Sequence, residues 1–251
     1  MKAWSAADQM SQDERLAALV ELIKSKTAKG ISTLAIFDLD GTLFDNRPRT
    51  IFILREISEQ FDRELPQLSA AFDRFHELGI VEYSLAATLR KLGVTSRREV
   101  ALIEKEWAKR FFSDDYQKFD IPLPGAKAYV KRVHEAGATV IYLTGRDLGR
   151  MFVGTAESLR LYGFPVGIVG TMMLVKKEFE EADEAFKKDV AAYLRRLGEV
   201  TAIFENEPAN SNVLQRAFPE ASSFFVLTQH RPDAPALNKG ILRIRDFRDR
   251  S

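Results

Sequence analysis

Residues 33–45 read Thr-Leu-Ala-Ile-Phe-Asp-Leu-Asp-Gly-Thr-Leu-Phe-Asp, a short apolar run that stops at two carboxylates, Asp38 and Asp40. At the end of a strand, side chains two residues apart point the same way. Two carboxylates so placed repel each other unless a cation sits between them, and Mg2+ is the natural oxygen-ligated partner. Gly41 lets the chain turn sharply, and Thr42 can brace the loop. Polar residues follow other apolar runs in the same way. Thr144-Gly145-Arg146-Asp147 comes after 138–143, and Glu205-Asn206-Glu207 after 200–204. A hydroxyl followed by glycine can offer an O–H and an unobstructed N–H to a phosphoryl oxygen. Taken singly, each of these strings is an ordinary turn.

The elements that must position these residues are legible in the hydrophobic pattern. Apolar runs at 33–37, 138–143, 200–204 and 223–227, with a weaker one at 166–169, alternate with helical stretches such as 127–136 and 186–197. Strand and helix in alternation predict an α/β fold, a Rossmann-like doubly wound parallel sheet, and ligands gather beyond the carboxyl ends of such strands. Between Asp45 and Asp115 no strand pattern occurs. Helical periodicity covers 51–61, 65–78, 85–92 and 97–112, with Gly79 and Gly93 as expected C-caps and Ser96 to Glu99 as a capping box. Residues 11–30 predict another helix, opened by Ser11 and Glu14 in capping-box spacing. The expected division is an N-terminal helical extension (1–30), an α/β core (31–46 plus 116–251) and an inserted all-helical domain (47–115).

The first string resembles the opening motif of the haloacid dehalogenase-like (HAD) hydrolase superfamily, an apolar strand followed by Asp-x-Asp-Gly-Thr. The resemblance extends over 31–46 and 116–230 in the family's motif order. It implies that Asp38 attacks a phosphorus atom to give an aspartyl phosphate, while Asp40 protonates the leaving oxygen and then activates water. It also implies that Thr144, with Gly145, binds phosphate, that Mg2+ is the cofactor and that the inserted helices form a cap. A lysine should neutralise charge beside the nucleophile. Lys187 fits that role better than Lys188, because Phe186 is adjacent and Leu194 and Leu197 follow at helical spacing; Lys176 and Lys177 are more distant alternatives. After the 200–204 strand the family carries aspartates, whereas this chain has Asn206 and Asn210 flanked by Glu205 and Glu207. Glu205 and Asn206 are joint candidates, beside Asp38 and Asp40, for the metal site.

The expected function is a Mg2+-dependent phosphatase acting on a small phosphorylated metabolite. The alternatives are a phosphosugar mutase or phosphotransferase with the same intermediate, and an inactive phospho-ligand-binding protein. Composition agrees: the 251 residues contain no cysteine, which removes thiol nucleophiles and disulfides, and 37 basic against 36 acidic residues give no field for gathering nucleic acid. No apolar run approaches a membrane span, and a cytoplasmic location is expected. Arg47, Arg49 and Arg55 read as solvated helix charges, Trp107, Phe111 and Phe112 as core of the insertion, and His76, His134 and His230 as surface or structural residues. Arg146 and Asp147 are left as structural or substrate-proximal. Replacing Asp38 by Asn is expected to abolish release of p-nitrophenol from p-nitrophenyl phosphate; a variant that keeps the wild-type rate would rule out the covalent route.

Overall fold

The computed structural model describes residues 10–248, so residues 1–9 of the expected extension and residues 249–251 of the expected core lie outside the described residues. The strands are β1 (Thr33–Phe37), the two-residue β2 (Phe44–Asp45) and β3 (Ile121–Pro122), β4 (Thr139–Asp147), β5 (Thr171–Lys176), β6 (Glu199–Glu205), β7 (Ser222–Val226) and β8 (Leu242–Ile244). The α-helices are α1 (Gln12–Ala28), α2 (Arg47–Gln60), α3 (Pro66–Ala70), α4 (Leu85–Leu92), α5 (Arg97–Phe111), α6 (Ala126–Glu135), α7 (Phe152–Leu161), α8 (Asp183–Leu197) and α9 (Pro208–Ala217).

Six strands form one sheet in the order β5-β4-β1-β6-β7-β8, and every neighbouring pair is parallel. Successive strand residues serve opposite faces. Ala35 and Phe37 pack with residues of α1, α6 and α7, whereas Leu34 and Ile36 pack with residues of α8 and α9. Burial on both faces explains why these strands read as continuous apolar runs rather than alternating ones. On the first face Phe37, Phe204 and Phe224 stack across β1, β6 and β7 with centroids 4.7 and 4.8 Å apart. The chain builds β4 and β5 to one side of β1, then β6, β7 and β8 to the other. Strand order thus reverses beside β1, where doubly wound sheets open a crevice for ligands.

α1 starts with the capping box expected of Ser11 and Glu14, and its Leu16, Leu19, Val20 and Ile23 belong to the first-face core. The helices between β2 and β3 bury a separate cluster that includes Ile53, Leu54, Ile57, Leu89 and Ile103. The chain leaves and returns through β2 and β3, which pair antiparallel. Among the described residues no helix is long and apolar enough to cross a membrane.

Two expected elements differ. The weak strand at 166–169 is instead a turn, because Gly167 and Gly170 take positive φ of 67° and 79° and Val169 is 96% exposed; the strand follows it as β5. The helix expected over 65–78 is the short α3 followed by 3-10 turns, and Gly79 lies within one of these rather than capping a helix. Those turns carry Phe75 and Ile80 into the insertion core. Ile23→Ala removes a fully buried side chain from α1. It is expected to cost about 2–4 kcal/mol and lower Tm by roughly 5–15 °C in circular dichroism melts; an unchanged melt would make α1 an appendage.

Candidate active site

The carboxyl ends of β1, β4 and β6 converge on one cavity, and each contributes polar residues to it. Asp38 directly follows β1, its N–H donating to the Phe204 carbonyl of β6 at 3.0 Å. From α8, the Lys187 ammonium reaches Asp38 Oδ1 at 2.8 Å and Glu205 Oε2 at 2.5 Å. Lys187 is 1% exposed, so its charge rests on these two carboxylates. Burial disfavours the ammonium, but Asp38 and then Glu205 outweigh it and hold Lys187 firmly protonated. The other oxygen of Glu205, Oε1, accepts the N–H groups of Asn206 and Glu207, both at 2.9 Å. Lys188, one residue on, is exposed. The structure therefore brings Asp38, Lys187 and Glu205 together.

Asp40 lies in a second ionic cluster. Arg146 Nε and Nη2 each donate to its carboxylate at 2.8 Å, and Arg49 Nη2 donates to it at 2.9 Å. Asp120, fully buried, takes Arg146 Nη2 at 2.8 Å and lies 2.9 Å from Arg49 Nε. Two arginines and two aspartates thus balance in charge. Burial pushes the Asp40 carboxyl up, but Arg146 and then Arg49 outweigh it and hold the group below the usual carboxylate range. Asp120, buried more completely than its two arginines compensate, is pushed up to about 6.

Arg49 corrects the sequence reading. Expected in solvent, it is 0% exposed, and its guanidinium also donates to the Phe111 carbonyl at 3.0 Å and lies 3.9 Å from the centre of the Phe111 ring. A signal existed, because Arg49 precedes the buried Ile53 and Ile57 at steps of four and so shares their helix face. No sequence pattern marks Asp120. Of the other two arginines, Arg47 pairs with Asp45, and Arg55 is exposed.

Thr144 is buried at the cavity, where its hydroxyl oxygen accepts the Arg146 N–H at 3.3 Å and its own proton remains to be donated. Asn206 is taken up within the protein: its Oδ1 accepts from the Thr42 hydroxyl at 3.2 Å, and its Nδ2 donates to the Gln229 carbonyl at 2.9 Å. It packs against Gly41, where a Cβ would fall 2.2 Å from Asn206 Nδ2 and the φ of +76° is itself a glycine conformation. His134 and His230 bond to main-chain carbonyls, and His76 is exposed. Lys176 is buried and pairs with Asp183, while Lys177 is exposed. The cavity measures about 760 Å³ and is lined by these core residues and by residues of the inserted helices, Trp107, Phe111 and Phe112 among them. The three aromatic residues expected as insertion core therefore also face the site.

The haloacid dehalogenase-like hydrolase family model matches residues 33–217, from β1 to the end of α9. The chain belongs to this family. No curated protein matches it significantly in sequence. Among solved structures, a protein designated a phosphatase from Clostridium difficile is 12% identical, with a TM-score of 0.55 over 81% of this chain and 89% of that one. A haloacid dehalogenase-like hydrolase from Burkholderia xenovorans is 14% identical, with a TM-score of 0.52 over 86% and 94% of the two chains. A class C acid phosphatase from Bacillus anthracis is 15% identical at a TM-score of 0.43 over 80% of this chain, which spans only 66% of that protein. The first two likenesses reflect a shared fold.

Among the described residues no three His, Cys, Asp or Glu side chains are grouped to hold a metal ion. The cavity instead presents separate oxygen donors, those of Asp38, Asp40, Glu205, Asn206 and Asn210, of the hard kind a divalent cation takes. Glu205 and Asn206 are already engaged on both sides. Asp38 Oδ2 makes no hydrogen bond within the described residues, and neither does the Asn210 amide at the same cavity. Asp38 and Glu205 also share a single ammonium, which leaves negative charge uncompensated beside this opening. Burial, followed by repulsion from Glu205, outweighs Lys187 and pushes the Asp38 carboxyl up to about 7. A carboxyl raised on folding binds more protons folded than unfolded, so stability falls as pH climbs from about 4 toward 7. In metal-free buffer Asp38→Asn is therefore expected to melt higher than wild type, by little at pH 5 and by roughly 4–8 °C at pH 7.5. An advantage that shrinks with rising pH would contradict this charge balance.

Proposed function

We propose that the protein is a Mg2+-dependent phosphomonoesterase working through an aspartyl phosphate, with the inserted helices acting as a cap over the site. The observation that carries this reading is the environment of Asp38. One of its oxygens is held by a buried lysine and the other makes no hydrogen bond among the described residues, at a cavity lined in part by the inserted helices. Oriented in this way, a weak carboxylate nucleophile needs only positioning and charge neutralisation, which dominate phosphoryl transfer.

Asp38 Oδ2 attacks phosphorus as the ester oxygen departs. Lys187, the Thr144 hydroxyl and the Gly145 N–H receive the phosphoryl oxygens. Asp40 supplies the proton to the leaving oxygen and later takes one from the water that opens the aspartyl phosphate, returning Asp38 and releasing inorganic phosphate. Arg146 and Arg49 keep Asp40 ionised in the present arrangement, the form needed for the water step. Its role as an acid requires those contacts to loosen when a substrate's charge enters.

Mg2+, when bound, supplies further neutralisation of the phosphoryl oxygens. Its holders would be Asp38, the Asp40 main-chain carbonyl, which accepts no hydrogen bond among the described residues, and the Asn210 amide. Glu205 instead fixes Lys187. A screen of phosphorylated metabolites with Mg2+ is expected to release inorganic phosphate from at least one compound, with EDTA abolishing and Mg2+ restoring turnover. Lys187→Met is expected to lower kcat by about 10²–10³-fold. Tight binding of a phosphate ester without turnover would refute the enzymatic reading.

A further inference from the structure

The cavity has a wall that phosphoryl chemistry does not use. Trp107, Phe111 and Phe112 at the end of α5 face it together with Phe179 from the loop after β5, and all four are half-buried. Phe111 is sandwiched, with Trp107 stacked on it at 4.2 Å and the Arg49 guanidinium at 3.9 Å. Phe112 stands edge-on to its neighbours, 5.8 Å from Trp107 and 4.9 Å from Phe179. Arg49 also bonds to Asp40, so in this arrangement the wall is tied to the carboxylate beside the proposed nucleophile.

Several polar residues on the same side are bonded within the protein, whereas the Trp107 indole N–H has no partner among the described residues. Thr88 donates to the Ser84 carbonyl and accepts the Glu82 N–H, Gln229 donates to the Val81 carbonyl, and the Tyr83 hydroxyl bonds to Glu207. The lining cations are likewise paired: Arg47 with Asp45, Lys176 with Asp183, Arg146 with Asp40 and Lys187 with Asp38. The wall therefore offers ring faces and edges with one spare donor, the Trp107 indole N–H, and its lining cations are all paired, leaving none for a second anionic group.

Resting on the phosphatase reading, we propose that the substrate's leaving alcohol is neutral and carries a flat apolar ring that packs against Trp107 and Phe112. This chemistry belongs to aryl-bearing monophosphates, not to sugar phosphates or bisphosphates. Ring stacking on aromatic side chains is tolerant of ring identity.

Non-hydrolysable phosphonates separate binding from turnover. By titration calorimetry on the full chain with Mg2+, 3-phenylpropylphosphonate is expected to bind at least about tenfold more tightly than propylphosphonate, a difference of about 1.4 kcal/mol. Trp107→Ala and, independently, Phe112→Ala are expected to reduce that ratio to about threefold or less. Equal affinities in the wild type, no binding of either compound at millimolar concentration, or a ratio unchanged in both variants would overturn the proposal. Failure of the phosphatase reading looks different: the affinity ratio holds while no phosphomonoester is hydrolysed.

Discussion

The site depends on one buried ammonium shared by two carboxylates. Lys187 joins α8 to the ends of β1 and β6 through Asp38 and Glu205; Lys187 and Glu205 are fully buried and Asp38 lies at the cavity. Removing such charges from water costs several kcal/mol per ion, and a single cation does not compensate two anions. The imbalance is tolerable because Glu205 is further satisfied by two main-chain N–H groups. What remains is concentrated on Asp38, beside the opening where a cation and a phosphoryl group would enter. The strain is thus placed at Asp38, the proposed nucleophile.

The second cluster couples the two halves of the molecule. Arg49 enters from α2, just after the outgoing strand β2, and Asp120 lies just before the returning strand β3. Asp120 pairs with Arg49 and with Arg146 of β4, and both arginines meet Asp40. The two crossings between the helical insertion and the sheet are therefore pinned at Asp40, the proposed acid and base. Arg49 also supports Phe111, so the electrostatics around Asp40 and the apolar wall above Asp38 share one anchor. A movement of the inserted helices would alter the contacts of Asp40, because those contacts are partly made by them.

Much of the core was legible in the sequence. Runs such as Thr33 to Phe37 and Val200 to Phe204 are apolar throughout because both faces of the sheet are covered, and their abrupt polar ends mark where the site must lie. The strand after α7 was misplaced, since two glycines with positive φ carry Val169 out into solvent and pairing resumes only at Thr171. The lysine beside Asp38 could be singled out by helical spacing. The burial of Arg49 was legible in principle from Ile53 and Ile57, but periodicity along a helix does not reveal which carboxylates will meet a charge.

The sequence alone determined the family, the parallel α/β core and the residues at its strand ends, because local hydrophobic period and the Asp-x-Asp-Gly-Thr string are properties of contiguous residues. Tertiary structure decided how those residues divide their work. Glu205 turns to Lys187, Asn206 locks the loop at Gly41, and Asn210 is left facing the cavity, since hydrogen-bond partners distant in sequence claim the first two. It likewise decided that Asp40 is held by two arginines and that three aromatic residues of the insertion turn toward the site. Long-range electrostatics and packing depend on which surfaces meet after folding, and neighbouring letters in the chain do not encode that one by one.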